Sequence, residues 1–581
     1  MSFISRISRK AALPLASFAA LVAATPALAE KAEVVITIPA GAKGEEELAA
    51  KVAEWKLGGQ VSDVLWLKAE QRDGGFQAIM ELEFADQNSY NEWAREDAPK
   101  IGSQFTVTRV DKLIHGEKSP RDSNYSVFKV NEYQPTTDAA TTKAFASKYI
   151  EPLMQAQIAG KVMMRYSMYQ ARQADGKGKT WLVMEYRDPI SFERSEALKT
   201  GIRKNLLANN AGYASFDKTK DGLRTTGPET VSSYHELPAP NLPDLPAYKP
   251  EAKLVGTLRI YGSELKNSVE YLAKGFQAFH PDLRITWSNA TSSEGALAGL
   301  YTGVADVAPM GDDAKVTDQM PFYNAMGYVP TEISVSTGGY ERRGSLWAWA
   351  IVVNKDNPLA SLTKDQLINI FGSERTGGWK VENNNWLFSA EFAKDRKTDI
   401  RTWDQLGLKG AEYRGKEIQT YGYSAQGFQT AIERHWFHWS HKWNPNFKEY
   451  VEDKQAVAGP NGDAIKADRP LEIMSRDKYG IGIAAMMHVK DYPNLKVLPI
   501  SPGAGAPAVP LTPKAVAQRK YPLIRDGYFY VNKAPGQPLD PKVREFMRFV
   551  LSREGQEIIA KVGYYYPLNA QYLAEQRKKL D

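Results

Sequence analysis

Leu237-Pro-Ala-Pro-Asn-Leu-Pro-Asp-Leu-Pro-Ala-Tyr-Lys-Pro250 decides how the chain is organised. Repeated prolines fix φ and remove backbone donors, and the stretch carries neither the period of a helix nor that of a strand. It is expected to be a semi-rigid linker over 237–252, dividing an N-terminal half (30–236) from a C-terminal half (253–581).

Working toward the N-terminus, one pattern occurs twice. In the first copy (30–120), Val34–Ile38, Val61–Lys68, Phe76–Phe84 and Phe105–Ile114 read as strands, with helices over Glu45–Trp55 and Asn88–Ala94. In the second (121–236), strands are expected over Ser126–Tyr133, Val162–Tyr169, Trp181–Tyr186 and Thr230–His235, with helices over Lys143–Ile158 and Ile190–Leu207. The best internal match sets Met80-Glu-Leu-Glu-Phe-Ala-Asp86 against Met184-Glu-Tyr-Arg-Asp188, each a strand ending in Asp before a helix. Both copies are β-α-β-β-α-β, the ferredoxin-like motif. The pair resembles the dimeric α/β-barrel families, small monooxygenase-like and stress-responsive domains, here as a pseudo-dimer within one chain.

Arg6, Arg9 and Lys10 precede an apolar run, Ala11–Ala24, and the small-x-small site Ala27-Leu28-Ala29. This is the layout of a secretory signal peptide over 1–29, cut after Ala29. The chain of 581 residues has 74 Lys+Arg against 68 Asp+Glu, a net +6, and loses three cations with that leader. So small an excess, without basic runs interleaved with aromatics, argues against nucleic acid. The absence of cysteine excludes disulfides, thiol catalysis, thiolate metal sites and an acylated lipoprotein cysteine. No span is expected after signal cleavage, since no other uncharged apolar run approaches bilayer length. A freely diffusing envelope or secreted protein is the expectation.

Toward the C-terminus, strands alternate with helices: Leu258–Tyr261, Val269–Phe279, Arg284–Trp287, Leu297–Thr302, Trp349–Val353 and Lys364–Phe371. Such alternation predicts open parallel sheets flanked by helices, an α/β class. Three Gly/Ser-rich loops lie between a strand and a helix: Gly262-Ser263, Asn289-Ala-Thr-Ser-Ser-Glu-Gly295 and Tyr421-Gly-Tyr-Ser-Ala-Gln-Gly427. Backbone amides at helix starts favour a desolvated anion, although Ser and Gly also serve as ordinary caps and turns.

Val352-Val-Asn-Lys-Asp-Asn-Pro-Leu359, Leu362-Thr-Lys-Asp-Gln-Leu-Ile-Asn-Ile-Phe371 and Ile400-Arg-Thr-Trp-Asp-Gln-Leu406 resemble the phosphate-binding proteins of bacterial phosphate ABC transporters. So do Ile260-Tyr-Gly-Ser263, Gly303-Val-Ala-Asp306, Gly527–Lys533, Val543–Gly563 and Tyr566-Pro-Leu568, extending the likeness over 254–570. The resemblance implies the type II-like periplasmic-binding-protein fold, with lobe one over 254–345 and 525–581 and lobe two over 350–500. It implies capture of phosphate or another small anionic solute for an ABC permease. The ligand-binding residues it carries over are Gly262, Ser263, Ser292, Ser293, Ser424, Gln426 and Gly427. Three departures bear on affinity. Gln426-Gly427-Phe428 replaces the family's Ser-Gly-Thr, its arginine falls near Gly422, and Met310-Gly311-Asp312-Asp313 brings acids near the site. Losing a guanidinium fork removes the strongest contact open to an oxyanion, so high-affinity phosphate binding is expected to weaken.

His435-Trp-Phe-His-Trp-Ser-His441 is read as a helical aromatic packing face without a metal, and Trp347-Ala-Trp349 as strand core. No Walker loop, dinucleotide fingerprint, nucleophile elbow or H-E-x-x-H pattern occurs, so neither catalytic residues nor a cofactor are expected. Two alternatives to solute capture are a non-catalytic envelope scaffold with a degenerate cleft, and a barrel fused for oxygenase or haem-handling chemistry.

Overall fold

The computed structural model describes residues 32–581 except 71–74, 85, 118–125, 263–264, 290–292, 312, 341–346, 424–425, 451–468 and 490–491. The expected signal peptide lies outside these residues.

Two-residue alternation builds the N-terminal half. In β1 (Ala32–Ile38), Val34, Ile36 and Ile38 join a core under the helices, while Val35 faces the opposite side. The same partition runs through β2 (Asp63–Ala69), β3 (Ala78–Phe84), β4 (Thr106–Glu117), β5 (Val127–Pro135), β6 (Met163–Ala171) and β7 (Thr180–Tyr186), whereas β8 (Arg224–Tyr234) is exposed over 225–229. Each repeat forms a four-stranded sheet, β4-β1-β3-β2 and β8-β5-β7-β6. Antiparallel pairing of β2 with β8 and of β4 with β6 joins them into one closed barrel. Closure removes the free edges that each sheet would otherwise expose. Leu65, Leu67, Phe128, Trp181 and Val183 pack inside, filling the lumen as eight strands allow. The matched aspartates of the two repeats do one job: Asp86 accepts from the Ser89 N–H, and Asp188 from that of Ser191, each starting a helix.

The linker is fastened along lobe one, where Leu245 and Tyr248 are buried in its core. The C-terminal strands are β9 (Gly256–Gly262), β10 (Leu283–Asn289), β11 (Val307–Met310), β12 (Thr331–Thr337), β13 (Ala350–Asn354), β14 (Leu362–Thr363), β15 (Gly378–Glu382), β16 (Asn385–Ser389), β17 (Gln419–Tyr423), β18 (Lys448–Tyr450), β19 (Gly480–Ala484), β20 (Leu495–Val497), β21 (Ile500–Ser501) and β22 (Asp526–Val531). Lobe one holds the sheet β10-β9-β11-β22-β12, and lobe two β18-β17-β19-β13-β20. These sheets are mixed, not the all-parallel ones expected. β22 runs antiparallel to both β11 and β12, and β13 antiparallel to β19 and β20. The reason is connectivity: β13 receives the chain crossing out of lobe one, and β22 receives it coming back.

At that hinge the Gly338 N–H donates to the Arg525 carbonyl at 2.7 Å, and the Trp349 N–H to the Leu523 carbonyl at 3.0 Å. Arg519 ties Thr337 to Asp526, both at 2.6 Å. Trp349 is buried in the core of lobe two, while Trp347 is half-buried, on an isolated bridge with Gly339.

Candidate functional site

The order β10-β9-β11 with parallel register sets the carboxyl ends of these strands side by side, with Gly262 opposite Asn289. The helices that follow, Lys266–Phe279 and Ser293–Tyr301, therefore start from one edge of the sheet, the place where α/β sheets hold ligands. Gly262 ends β9 buried against β11, and a Cβ there would lie 2.8 Å from the Pro309 nitrogen. Glycine at 262 thus answers to the close approach of two strands. Ser293 is the first residue of the helix Ser293–Tyr301, and Gln426 and Gly427 open the helix Gln426–Phe437. Ser263, Ser292 and Ser424 lie outside the described residues. Leu265, which caps the helix Lys266–Phe279, is buried at φ 48°, a left-handed conformation that costs a side-chain-bearing residue of order 1–3 kcal/mol.

Beside this edge the lobes meet through charge. Arg434, in the last two turns of the helix Gln426–Phe437, reaches from lobe two into lobe one. Its Nη1 donates to Asp313 Oδ1 and Glu332 Oε2, both at 2.7 Å, and its Nη2 to Glu332 Oε1 at 2.9 Å. His435 Nε2 lies 3.0 Å from Asp313 Oδ1. The acids are set by β-sheet neighbours: Asp313 follows β11, Glu332 belongs to β12, and β22 between them supplies Tyr528 and Tyr530. Tyr530 donates to Glu332 at 2.5 Å and accepts the Ala314 N–H at 3.1 Å, whereas Tyr528 lies 3.4 Å from Asp313.

Burial pushes the Asp313 carboxyl up, but His435 and Arg434 outweigh it and hold the group well below the usual carboxylate range. Burial likewise raises Glu332, and Arg434 overrides it to a net lowering. Both acids are therefore ionised at neutral pH and share one guanidinium from the opposite lobe. Of the acids expected near the cleft, Asp313 faces inward and is paired with Arg434, which it shares with Glu332; Asp312 lies outside the described residues. A second bridge crosses between the lobes where Tyr323 donates to Asn385, at the tip of the β15–β16 hairpin, at 2.8 Å.

The histidine run is corrected too. The helix stops at Phe437, and His438, Trp439 and His441 take left-handed φ values of 52°, 61° and 53°. The three histidines consequently share no helical face. His438 stacks on Phe392 at 3.7 Å between centroids, and His441 pairs with Glu433 at 2.7 Å. Sequence reading passed over Arg434, whose one signal is a basic residue beside His435 in an aromatic helix.

The model of the PBP superfamily domain matches residues 247–554. The chain belongs to that family. Within the PBP superfamily domain lie both sheets and the Arg434 cluster. The chain is 28% identical over 339 residues to the phosphate-binding protein PstS of Pseudomonas aeruginosa, covering 58% of this chain and 91% of that protein. An ABC-type phosphate transport receptor from Vibrio cholerae is 17% identical, over 53% of this chain and all of its own length, with a TM-score of 0.32. A monooxygenase-like protein from Lactobacillus acidophilus is 10% identical over 35% of this chain and 93% of its own, with a TM-score of 0.25. Among the described residues, no helix is long and apolar enough to cross a membrane.

Proposed function

We propose that the C-terminal half captures phosphate or another small oxyanion in the periplasm and presents it to an ABC-type permease. The observation that carries this reading is the shared carboxyl edge of β9, β10 and β11: a helix starts after each of β9 and β10, and Asp313 of the Arg434 cluster follows β11. Helix-start amides and hydroxyls would hold the anion, and closure of the lobes would complete its hydrogen bonds. Membership of the PBP superfamily domain and likeness to a phosphate-binding protein support it. Arg434 has a supporting part: with two carboxylates around it, it fastens the lobes.

That same fastening favours a second reading, a non-catalytic envelope scaffold whose cleft closes on its own side chains. Calorimetric titration of the full chain with phosphate, sulfate and a phosphomonoester separates the two. Saturable heat with any of them, weakened roughly ten-fold or more by Ser263→Ala or Ser424→Ala, is expected for capture, since a hydrogen bond to a charged group contributes about 1.5–3 kcal/mol. Absence of heat with all three overturns capture and leaves the scaffold.

A further inference from the structure

We infer that the N-terminal barrel is a brace across the hinge, fixed to lobe one and bearing on lobe two, so that its docking sets the spacing of the lobes.

The attachment to lobe one is made by the linker. The Leu242 N–H donates to Glu557 at 3.1 Å, and the Arg553 N–H to the Pro246 carbonyl at 2.9 Å. The Tyr248 N–H donates to Glu554 at 2.7 Å, and its hydroxyl reaches Glu545 at 2.8 Å and His280 at 2.7 Å. Arg544 and Arg548 both hold Glu251 at 2.7 Å. A proline-rich segment with its backbone donors engaged in this way gives the barrel little freedom relative to lobe one.

The bearing on lobe two is made elsewhere on the barrel. Gly59, in the turn between the helix Glu45–Leu57 and β2, lies directly against the helix Pro513–Ala517. A Cβ at 59 would sit 2.6 Å from the Lys514 Cα. Gly59 also has φ 72°, so glycine answers two demands there, the turn and the approach. Glu92, on the barrel helix Gln87–Glu96, pairs with the Lys514 ammonium. Ala515 and Val516 are part of lobe two's core, and the chain runs from them through Arg519 and Tyr521 into the returning hinge strand. The barrel therefore touches lobe two just where it meets the hinge. With lobe one held by the linker and lobe two by Gly59 and Glu92, the docked barrel matches one lobe spacing, the one in which Arg434 reaches Asp313 and Glu332. This holds whatever ligand the cleft takes.

The chain has no cysteine, so a pair of spin labels can be placed without background. Lys274→Cys on lobe one and Lys409→Cys on lobe two are exposed. Pulsed dipolar measurements on the ligand-free full chain are expected to give one narrow distance. Lys514→Glu, which sets like charges face to face, and Gly59→Ala should each broaden and lengthen it. The exchange Glu92→Lys with Lys514→Glu should restore the parent distribution, which separates loss of docking from misfolding. Unchanged distances in both single variants, or a Lys514→Glu change that the exchange leaves uncorrected, overturn the brace.

Discussion

Deleting the Arg434 guanidinium would leave buried Asp313 and part-buried Glu332 without their shared cation. Removing one partner of a buried ion pair costs about 3–5 kcal/mol, far more than a surface pair contributes. Arg434→Met should therefore destabilise the C-terminal transition in urea unfolding by up to about that amount, discounted for the part-exposed Glu332; a loss below about 1 kcal/mol would show that the cluster is not sealed. The sign of the pH effect follows from the lowered carboxyls. Their contribution is fully present above the unfolded values, about 3.9 for Asp and about 4.3 for Glu, and is lost as pH falls from there through the lower folded values. Asp313 was legible as an acid near the cleft, but the cation that compensates it lies 121 positions away and comes from the other lobe. No local pattern encodes that meeting.

At the scale of elements, the barrel mouth shows how a strand pattern can be read correctly and still leave its chemistry hidden. β1 and β3 are buried on both faces, yet with β4 their lumen-facing positions at one end carry Glu33, Glu81, Glu83 and Lys112, met by Arg165 of β6. His115 of β4 lies 3.0 Å from Ser167 Oγ. Desolvation of the ring against β6, with Lys112 and Arg165 nearby, pushes its imidazole down to about 4, although its outer edge stays exposed. The unfolded chain then takes up this proton first, so the barrel should lose stability as pH falls from about 6.5 toward 4 and regain it above 6.5. A pH series of thermal unfolding should show that slope in the parent and a flatter one in His115→Asn; equal slopes would assign the effect elsewhere. The histidine run fails for another reason of the same scale. Helical spacing was assumed through His441, but the chain turns left-handed at His438, where the Trp379 N–H donates to the His438 carbonyl at 2.7 Å.

For the whole molecule, the cores are separate: two flank the barrel sheet, one fills its lumen, and others lie in each lobe. Separate cores melt as separate units unless their contacts are extensive, and the barrel's described contact with lobe two is narrow. Scanning calorimetry should therefore give a calorimetric enthalpy well above the van't Hoff value. Added phosphate should raise only the transition of the C-terminal half, by the linkage of ligand to the folded state. A single two-state transition would mean that the brace couples barrel and lobes into one unit.

Sequence alone determined what depends on neighbours along the chain. The doubled β-α-β-β-α-β order, the paired Asp caps at 86 and 188, the proline segment and the strand-to-helix loops after β9, β10 and β17 all follow from periodicity, capping and backbone restriction within a dozen residues. Tertiary structure decided what depends on neighbours in space: barrel closure through β2–β8 and β4–β6, antiparallel entry of β13 and β22, the seating of Arg434 between two acids, and Gly59 against Lys514. Each of these needs two surfaces to meet before either residue type makes sense, because burial and Coulomb energy are set by distance in the folded molecule.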